Sequence, residues 1–221
     1  MIAIEPSCVC GPVGEWSKVV LSEVRLCEVE GHHRYWKGDK ELVSVSHVIR
    51  RVWPVKPNFM AAKPSVLANA RHRGIVLDRL FSKYLARELH AIPIGTRLDS
   101  LQLFWRLKRW WSDHKHGACR SQVILADDDI AGTCDVLDEE KDAVFDVKAV
   151  SRLEVTYPLQ LGAYGQLFYA TFGRPVKKLG IIHLNKTLLQ PKLIELDPAE
   201  VIQDWLLLRD TYMMAMRRML R

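Results

Sequence analysis

Residues 122–148 read QVILADDDIAGTCDVLDEEKDAVFDVK. Three apolar stretches, Gln122–Leu125, Ile130–Leu137 and Ala143–Val147, are separated by two acidic segments, Asp127-Asp128-Asp129 and Asp138–Asp142. Short runs rich in Val and Ile and bounded by turn residues predict three strands joined by hairpins. On a strand, residues i and i+2 project from one face, so Asp146 and Lys148 point the same way. Asp135 stands eleven positions before Asp146 (146 − 135), a hairpin length that sets the two carboxylates side by side.

Outward from this meander the pattern is helical on both sides. Upstream, Val19–Val29 alternates as a strand, and Gly31 and the Lys37-Gly38-Asp39 turn follow it, which predicts a hairpin. Ser44 precedes Val45-Ser46-His47-Val48-Ile49 as a helix cap. Pro64-Ser65 opens a long helix in which Val66, Leu67, Ala70, Ile75, Leu77, Leu80, Phe81, Tyr84 and Leu85 recur at roughly helical spacing. Asp99 or Ser100 caps a third helix, which runs to about His114 before Gly117. Downstream, Pro158 lies in the first turn of a helix reaching about Phe172. Val176–Leu184 and Lys192–Leu196 read as strands, and Asp197-Pro198 opens a helix that runs to the C-terminus. The order predicts an α/β fold, a mixed central sheet flanked by helices with a helical region before it. The 221 residues suit one domain, with residues 1–60 as a hairpin-and-helix appendage and 61–221 as the core.

Composition narrows the function classes. No apolar run is long enough to span a bilayer. The start, MIAIEPSCVCGPVGEW, lacks a basic segment followed by an apolar one, which predicts a soluble, cytoplasmic protein. The net charge of +6 favours an anionic partner. Five cysteines, at 8, 10, 27, 119 and 134, include no second pair at zinc-site spacing to match Cys8-x-Cys10 and read as free thiols. His32-His33 and the His114-x-His116 pair read as exposed loop histidines.

Two carboxylates brought together repel, and a divalent cation between them removes the repulsion. Hard oxygen donors suit Mg²⁺ or Mn²⁺. A lysine beside them offsets charge on a phosphodiester and holds a water. Asp-x-Lys alone is common as a solvated strand end, but Asp146 follows the apolar Ala143-Val144-Phe145, where a charge without a role is costly.

The run Ala131-Gly-Thr-Cys-Asp135, then Val144-Phe-Asp-Val-Lys148, then Tyr157-Pro-Leu-Gln160-Leu-Gly-Ala-Tyr164 resembles the RecB-like and Cas4-like branch of the PD-(D/E)xK nucleases. Those enzymes carry Gly-x-x-Asp, a strand with Asp/Glu-x-Lys, and a helix with Gln-x-x-x-Tyr, in that order. Tyr35, Gly38 and Ser44-Val45-Ser46 are similar to the opening of phage exonuclease-like members and of the mitochondrial genome maintenance exonuclease. Arg73-Gly74-Ile-Val-Leu-Asp78 is similar to an Arg-Gly-x-x-x-His helix of the family. With the closing strand Ile181-Ile-His-Leu184, Asp197-Pro-Ala-Glu200 and Trp205, the resemblance covers roughly residues 35–215.

The resemblance implies a DNA-hydrolysing enzyme using Mg²⁺ or Mn²⁺. Asp78, Asp135, Asp146 and the Val147 carbonyl would be metal ligands. Asp135, Asp146, Lys148, Gln160 and Tyr164 would form the catalytic set, and Arg73, Gln122, Arg152, Gln160 and Tyr164 would meet the substrate. It implies no iron–sulfur cluster, since no cysteine follows 134. The chain departs from the pattern twice. Asp78 replaces a His, and is either an oxygen ligand or a solvated helix residue. Gln122 stands where the family often has a Glu, and brings no charge.

Phe104-Trp105-Arg106, Lys108-Arg109-Trp110-Trp111 and Lys115 fit either a core helix edged by basic side chains or a groove where bases stack between phosphate contacts. Arg71, His72, Arg73 and Arg79 fit phosphate contacts or a solvated face equally. The small chain, without a helicase or specificity domain, fits an exonuclease on DNA ends or single strands. The alternatives are a structure-specific endonuclease, a nucleic-acid-binding protein on a nuclease fold, and a metalloenzyme or structural protein unrelated to DNA.

Overall fold

The computed structural model describes residues 24–29, 32–54, 63–114, 116–185 and 189–219. Cys8, Cys10, the start of the first expected strand at Val19, Lys115 and Arg221 lie outside them. The elements run β1 (Val24–Val29), β2 (His32–Lys37), β3 (Lys40–Ser44), α1 (Val45–Val52), α2 (Pro64–Leu85), α3 (Leu98–Asp113), β4 (Cys119–Ala126), β5 (Ile130–Asp138), β6 (Ala143–Ala149), α4 (Thr156–Phe172), β7 (Lys178–Leu184), β8 (Lys192–Leu196) and α5 (Pro198–Met219). They form an α/β protein with one eight-stranded mixed sheet and five helices, as the hydrophobic pattern predicts. No helix among the described residues is long and apolar enough to cross a membrane.

The sheet runs β1-β2-β3-β5-β6-β7-β8, with β4 on the other edge of β5. Parallel pairing occurs between β3 and β5 and between β6 and β7; the remaining pairs are antiparallel. The tight turn between β2 and β3 places Gly38 at φ 59°, a left-handed conformation that glycine adopts without a Cβ penalty. β3 then becomes α1 without a loop. Ser44 pairs with Ala131 as the last strand residue, and its Oγ accepts the His47 N–H at 3.1 Å as the helix cap.

Helices cover both faces. One face packs Val48 of α1, Leu161, Leu167 and Phe168 of α4, and Trp205 of α5 against Val123, Leu137, Val144 and Ile181. The other packs Leu77 and Phe81 of α2 and Phe104, Leu107, Trp110 and Trp111 of α3 against Val136, Phe145 and Ile182. The aromatic run of α3 is therefore mainly core. Trp105 is half-exposed, with the Lys108 ammonium 4.8 Å from its ring centroid.

Two expectations need correction. Neither Asp99 nor Ser100 caps α3. The extended Arg97 holds that position, and Asp99 acts from within the first turn, accepting the Ser100 N–H at 2.9 Å and the Arg97 Nε–H at 3.2 Å. Nor are the histidines uniformly exposed loop residues. His33 lies on β2, and the His116 ring stacks on Trp111 at 3.7 Å. Burial there draws the His116 pKa down to about 4, since the charged imidazolium loses its hydration.

The α4–α5 crossing depends on Gly162, where a Cβ would run into the Val201 carbonyl. Gly74, inside α2, has nothing within 4 Å of such a Cβ. Gly162→Ala is thus expected to lose roughly 2–4 kcal/mol, because the obstacle is backbone that cannot rotate aside. Gly74→Ala should gain about 0.5–1 kcal/mol from helix propensity. Urea denaturation of both variants checks the pair, and equal effects would contradict the crossing described.

Candidate active site

β4 pairs with β5 from Cys119↔Asp138 to Ala126↔Ala131. The opposite edge of β5 is shared. β3 takes its beginning (Val43↔Ile130, Ser44↔Ala131) and β6 its end (Val136↔Phe145 to Asp138↔Ala143). Between them, residues 132–135 have no ladder partner on that edge among the described residues. The strands part there, and a side chain replaces the ladder: the Val147 N–H donates to Asp135 Oδ2 at 2.8 Å.

The same rung rotates the strands. Val123 and Cys134 face the α1–α4–α5 core, whereas Val136 faces α2 and α3, and Ser121 lies 3.4 Å from the Ser82 carbonyl of α2. Between Ser121 and Val123, Gln122 has φ 54°, left-handed and rare for a residue with a Cβ. Its amide Nε2 donates to Asp78 Oδ1 on α2 at 2.7 Å and to Asp135 Oδ1 at 3.4 Å. Asp78 is therefore drawn into the group and is not a solvated helix residue.

Asp146 and Lys148 face α4, on the same side of β6 as Val144. Asp146 is buried, and Lys148 Nζ lies 2.7 Å from Asp146 Oδ2. The ammonium also donates to Gln160 Oε1 at 3.1 Å, and Gln160 Nε2 donates to Tyr164 Oη at 2.7 Å. Gln160 and Tyr164 are one helical turn apart, which stacks them on one face of α4. Tyr164 reaches β5 because Gly132 lies beneath it: a Cβ at 132 would stand 2.7 Å from Tyr164 Cε1.

Crowding sets the protonation of these groups. Burial pushes the Asp135 pKa well above the aspartate range, and the charges of Asp146 and Asp78 push it further, against Lys148 and the Val147 N–H. Burial presses on Lys148 in the opposite sense, but Asp146 and Asp135 outweigh it, so its pKa is raised and it stays an ammonium ion. Burial also raises Tyr164 well above its ordinary value, with Asp146 adding to the effect, so its hydroxyl stays neutral.

Asp78, Gln122, Asp135, Asp146, Val147, Lys148, Gln160 and Tyr164 are thus linked by direct contacts. Arg73 and Arg152 are not. Arg73 turns toward α3, with Nη1 3.9 Å from Asp99 Oδ2. Arg152 is exposed between β6 and α4, in a segment held where His183 Nε2 meets the Val150 carbonyl at 2.8 Å. Two contributors had no role in the sequence reading. The Tyr157 ring lies 4.9 Å from Lys148 Nζ, a cation–π contact whose signal was its place just before Pro158. The other is the N-terminal wall of a cavity of about 910 Å³, where His33, Arg34, His47 and Arg50 line the rim above Asp78, Gln122, Asp135, Gln160 and Tyr164. No local motif marks that wall, because it forms only when β3 docks on β5.

The chain shares its fold with a solved bacterial structure. The crystal structure of a "putative exonuclease" from Eubacterium rectale superposes with a TM-score of 0.54 at 16% identity, covering 81% of this chain and 80% of that one. A phage-related exonuclease from Haemophilus somnus 129PT gives a TM-score of 0.39 at 11% identity over 81% of this chain and 96% of that one. No protein-family model and no curated protein matches the sequence.

The donors facing one another are hard oxygens, those of Asp78, Asp135 and Asp146, the type that suits Mg²⁺ or Mn²⁺. Two of these carboxylates converge on a single atom, Gln122 Nε2, so a cation ligated by both is sterically reasonable. Among the described residues no three His, Cys, Asp or Glu side chains are spaced to hold a metal by themselves.

The raised Asp135 pKa has a definite pH signature. The folded chain binds that proton more tightly than the unfolded chain does. Its contribution to stability is present below the ordinary aspartate range, near about pH 3.9, and is lost as pH rises through the raised value. Asp135→Asn removes the loss. In EDTA the variant should melt higher than wild type at about pH 7, with the advantage shrinking toward zero on acidification. Thermal melts across pH check this; a lower melting temperature at neutral pH would mean that the carboxylate is not crowded.

Proposed function

We propose that the chain is a metal-dependent deoxyribonuclease of PD-(D/E)xK type, acting as an exonuclease on DNA ends or single strands. The observation that carries this reading is the meeting of Asp135, Asp146 and Lys148 where the β5 edge divides, with Gln160 and Tyr164 of α4 closing on the lysine. The fold shared with the "putative exonuclease" of Eubacterium rectale supports it, as does the net charge of +6.

Asp78, Asp135, Asp146 and the Val147 carbonyl would hold Mg²⁺ or Mn²⁺. When bound, such a cation supplies an acidified water and offsets charge on the phosphodiester. The chain's own groups have separate tasks. Lys148, kept protonated by its acidic neighbours, donates a hydrogen bond to a phosphoryl oxygen or a water and does not act as the base. Gln160 fixes the direction of the ammonium, and Tyr164 fixes Gln160. His47 and Arg50 at the cavity rim, with Arg73 and Arg152 farther out, meet backbone phosphates.

The test is hydrolysis of end-labelled linear single-stranded and duplex DNA beside closed circular single-stranded DNA, with Mg²⁺, Mn²⁺ or EDTA. Wild type should degrade only linear DNA and only with metal, and Lys148→Ala should lower the rate by about 10²–10⁴-fold while keeping DNA binding. Cutting of the circle would make the chain an endonuclease. DNA binding without hydrolysis in any metal would make it a binding protein on a nuclease fold.

A further inference from the structure

Gln122 is placed against the rules of its strand. It belongs to β4, its neighbours keep register with β5 (Ser121↔Val136, Val123↔Cys134), and yet its φ is 54°. A non-glycine residue holds that conformation in mid-strand only when its surroundings enforce it. The enforcing contacts are two: Nε2 lies 2.7 Å from Asp78 Oδ1 and 3.4 Å from Asp135 Oδ1. The NH₂ end of the carboxamide is the end turned to both carboxyl groups. The amide thus does part of what a cation does, since it supplies positive hydrogens between two carboxyl groups from different elements.

An amide nitrogen has no lone pair to offer a metal. A cation that takes the Oδ1 atoms of Asp78 and Asp135 therefore competes with Gln122 Nε2 for them. We propose that Gln122 is a competing internal donor, a positioning residue that occupies the Asp78–Asp135 site and weakens its affinity for divalent metal. This rests on the metal-dependent reading above. A chain with a carboxylate at 122 would add a ligand there; this chain has a donor that competes, so occupancy of the site becomes dependent on metal concentration.

Gln122→Met keeps the length of the side chain and removes the donors. Gln122→Gly removes them too and relaxes the left-handed backbone, so it serves if the Met variant does not fold. Isothermal titration with Mn²⁺ is performed on wild type, both variants and Asp135→Asn, with melting temperatures taken in EDTA and in Mn²⁺. Both Gln122 variants should bind Mn²⁺ about tenfold more tightly than wild type, the worth of one hydrogen bond to a charged group. Both should also show a larger Mn²⁺-induced rise in melting temperature. A structural defect alone would weaken binding. If wild type binds Mn²⁺ through Asp135 but the variants bind equally or less well, the competing-donor role is overturned while the metal site stands. If wild type binds no Mn²⁺, or Asp135→Asn binds as well as wild type, the metal-dependent reading falls and this inference with it.

Discussion

One edge of a strand can hold only one neighbour at a time, and the edge of β5 that faces away from β4 is given to two in succession. β3 must release it after Ser44, because that residue both ends the ladder and caps α1. β6 leaves it beyond Phe145, keeping instead to β7 from Ala143↔Lys178 to Ala149↔Leu184. The resulting gap exposes backbone that would ordinarily be paired, and unpaired backbone in a protein interior costs free energy. Asp135 offsets that cost by accepting the Val147 N–H. A carboxylate in mid-sheet is thereby a consequence of how the sheet divides, and the acidic group gathers around it.

Once Asp135 is fixed, the electrostatics limit what its neighbours can be. Three carboxylates at close quarters are unstable together in a low-dielectric setting, and the structure tempers them in two ways. Lys148 neutralises Asp146 from the next position on the same face, at 2.7 Å. The Gln122 amide lies between Asp78 and Asp135. What remains is an Asp135 that clings to its proton. The arrangement is therefore under electrostatic load in the folded chain itself.

Much of this was legible in the sequence, for reasons that differ by element. The meander was readable because β5 and β6 are buried on both faces and bounded by acidic turns. Asp146 and Lys148 were readable as a pair because strand geometry alone puts i and i+2 together. The α1 cap at Ser44 is a local hydrogen bond with a local signature. The cap of α3 differs from the expectation because Asp99 carries the right chemistry two residues after the cap position, Arg97. The His116 stack and the cavity wall are long-range consequences of packing, and no short window contains them. Gln122 was legible as a missing charge but not as a strained residue, since nothing in SQV announces a positive φ.

The helix α4 ties the core to the chemistry through two glycines with opposite surroundings. Gly162 lets the α5 backbone approach, and Gly132 on β5 leaves room for the Tyr164 ring and the Val45 side chain, both of which a Cβ there would meet. These close approaches set both the height and the rotation of α4 over β6. Gln160, one turn before Tyr164, then has a single way to lie: its NH₂ on the tyrosine oxygen and its carbonyl on Lys148. A neutral tyrosine hydroxyl that is buried and can accept from Gln160 orients the amide, and the oriented amide leaves only an acceptor for the ammonium. The direction of the Lys148 charge is thus traced back to the absence of a methyl group at position 132.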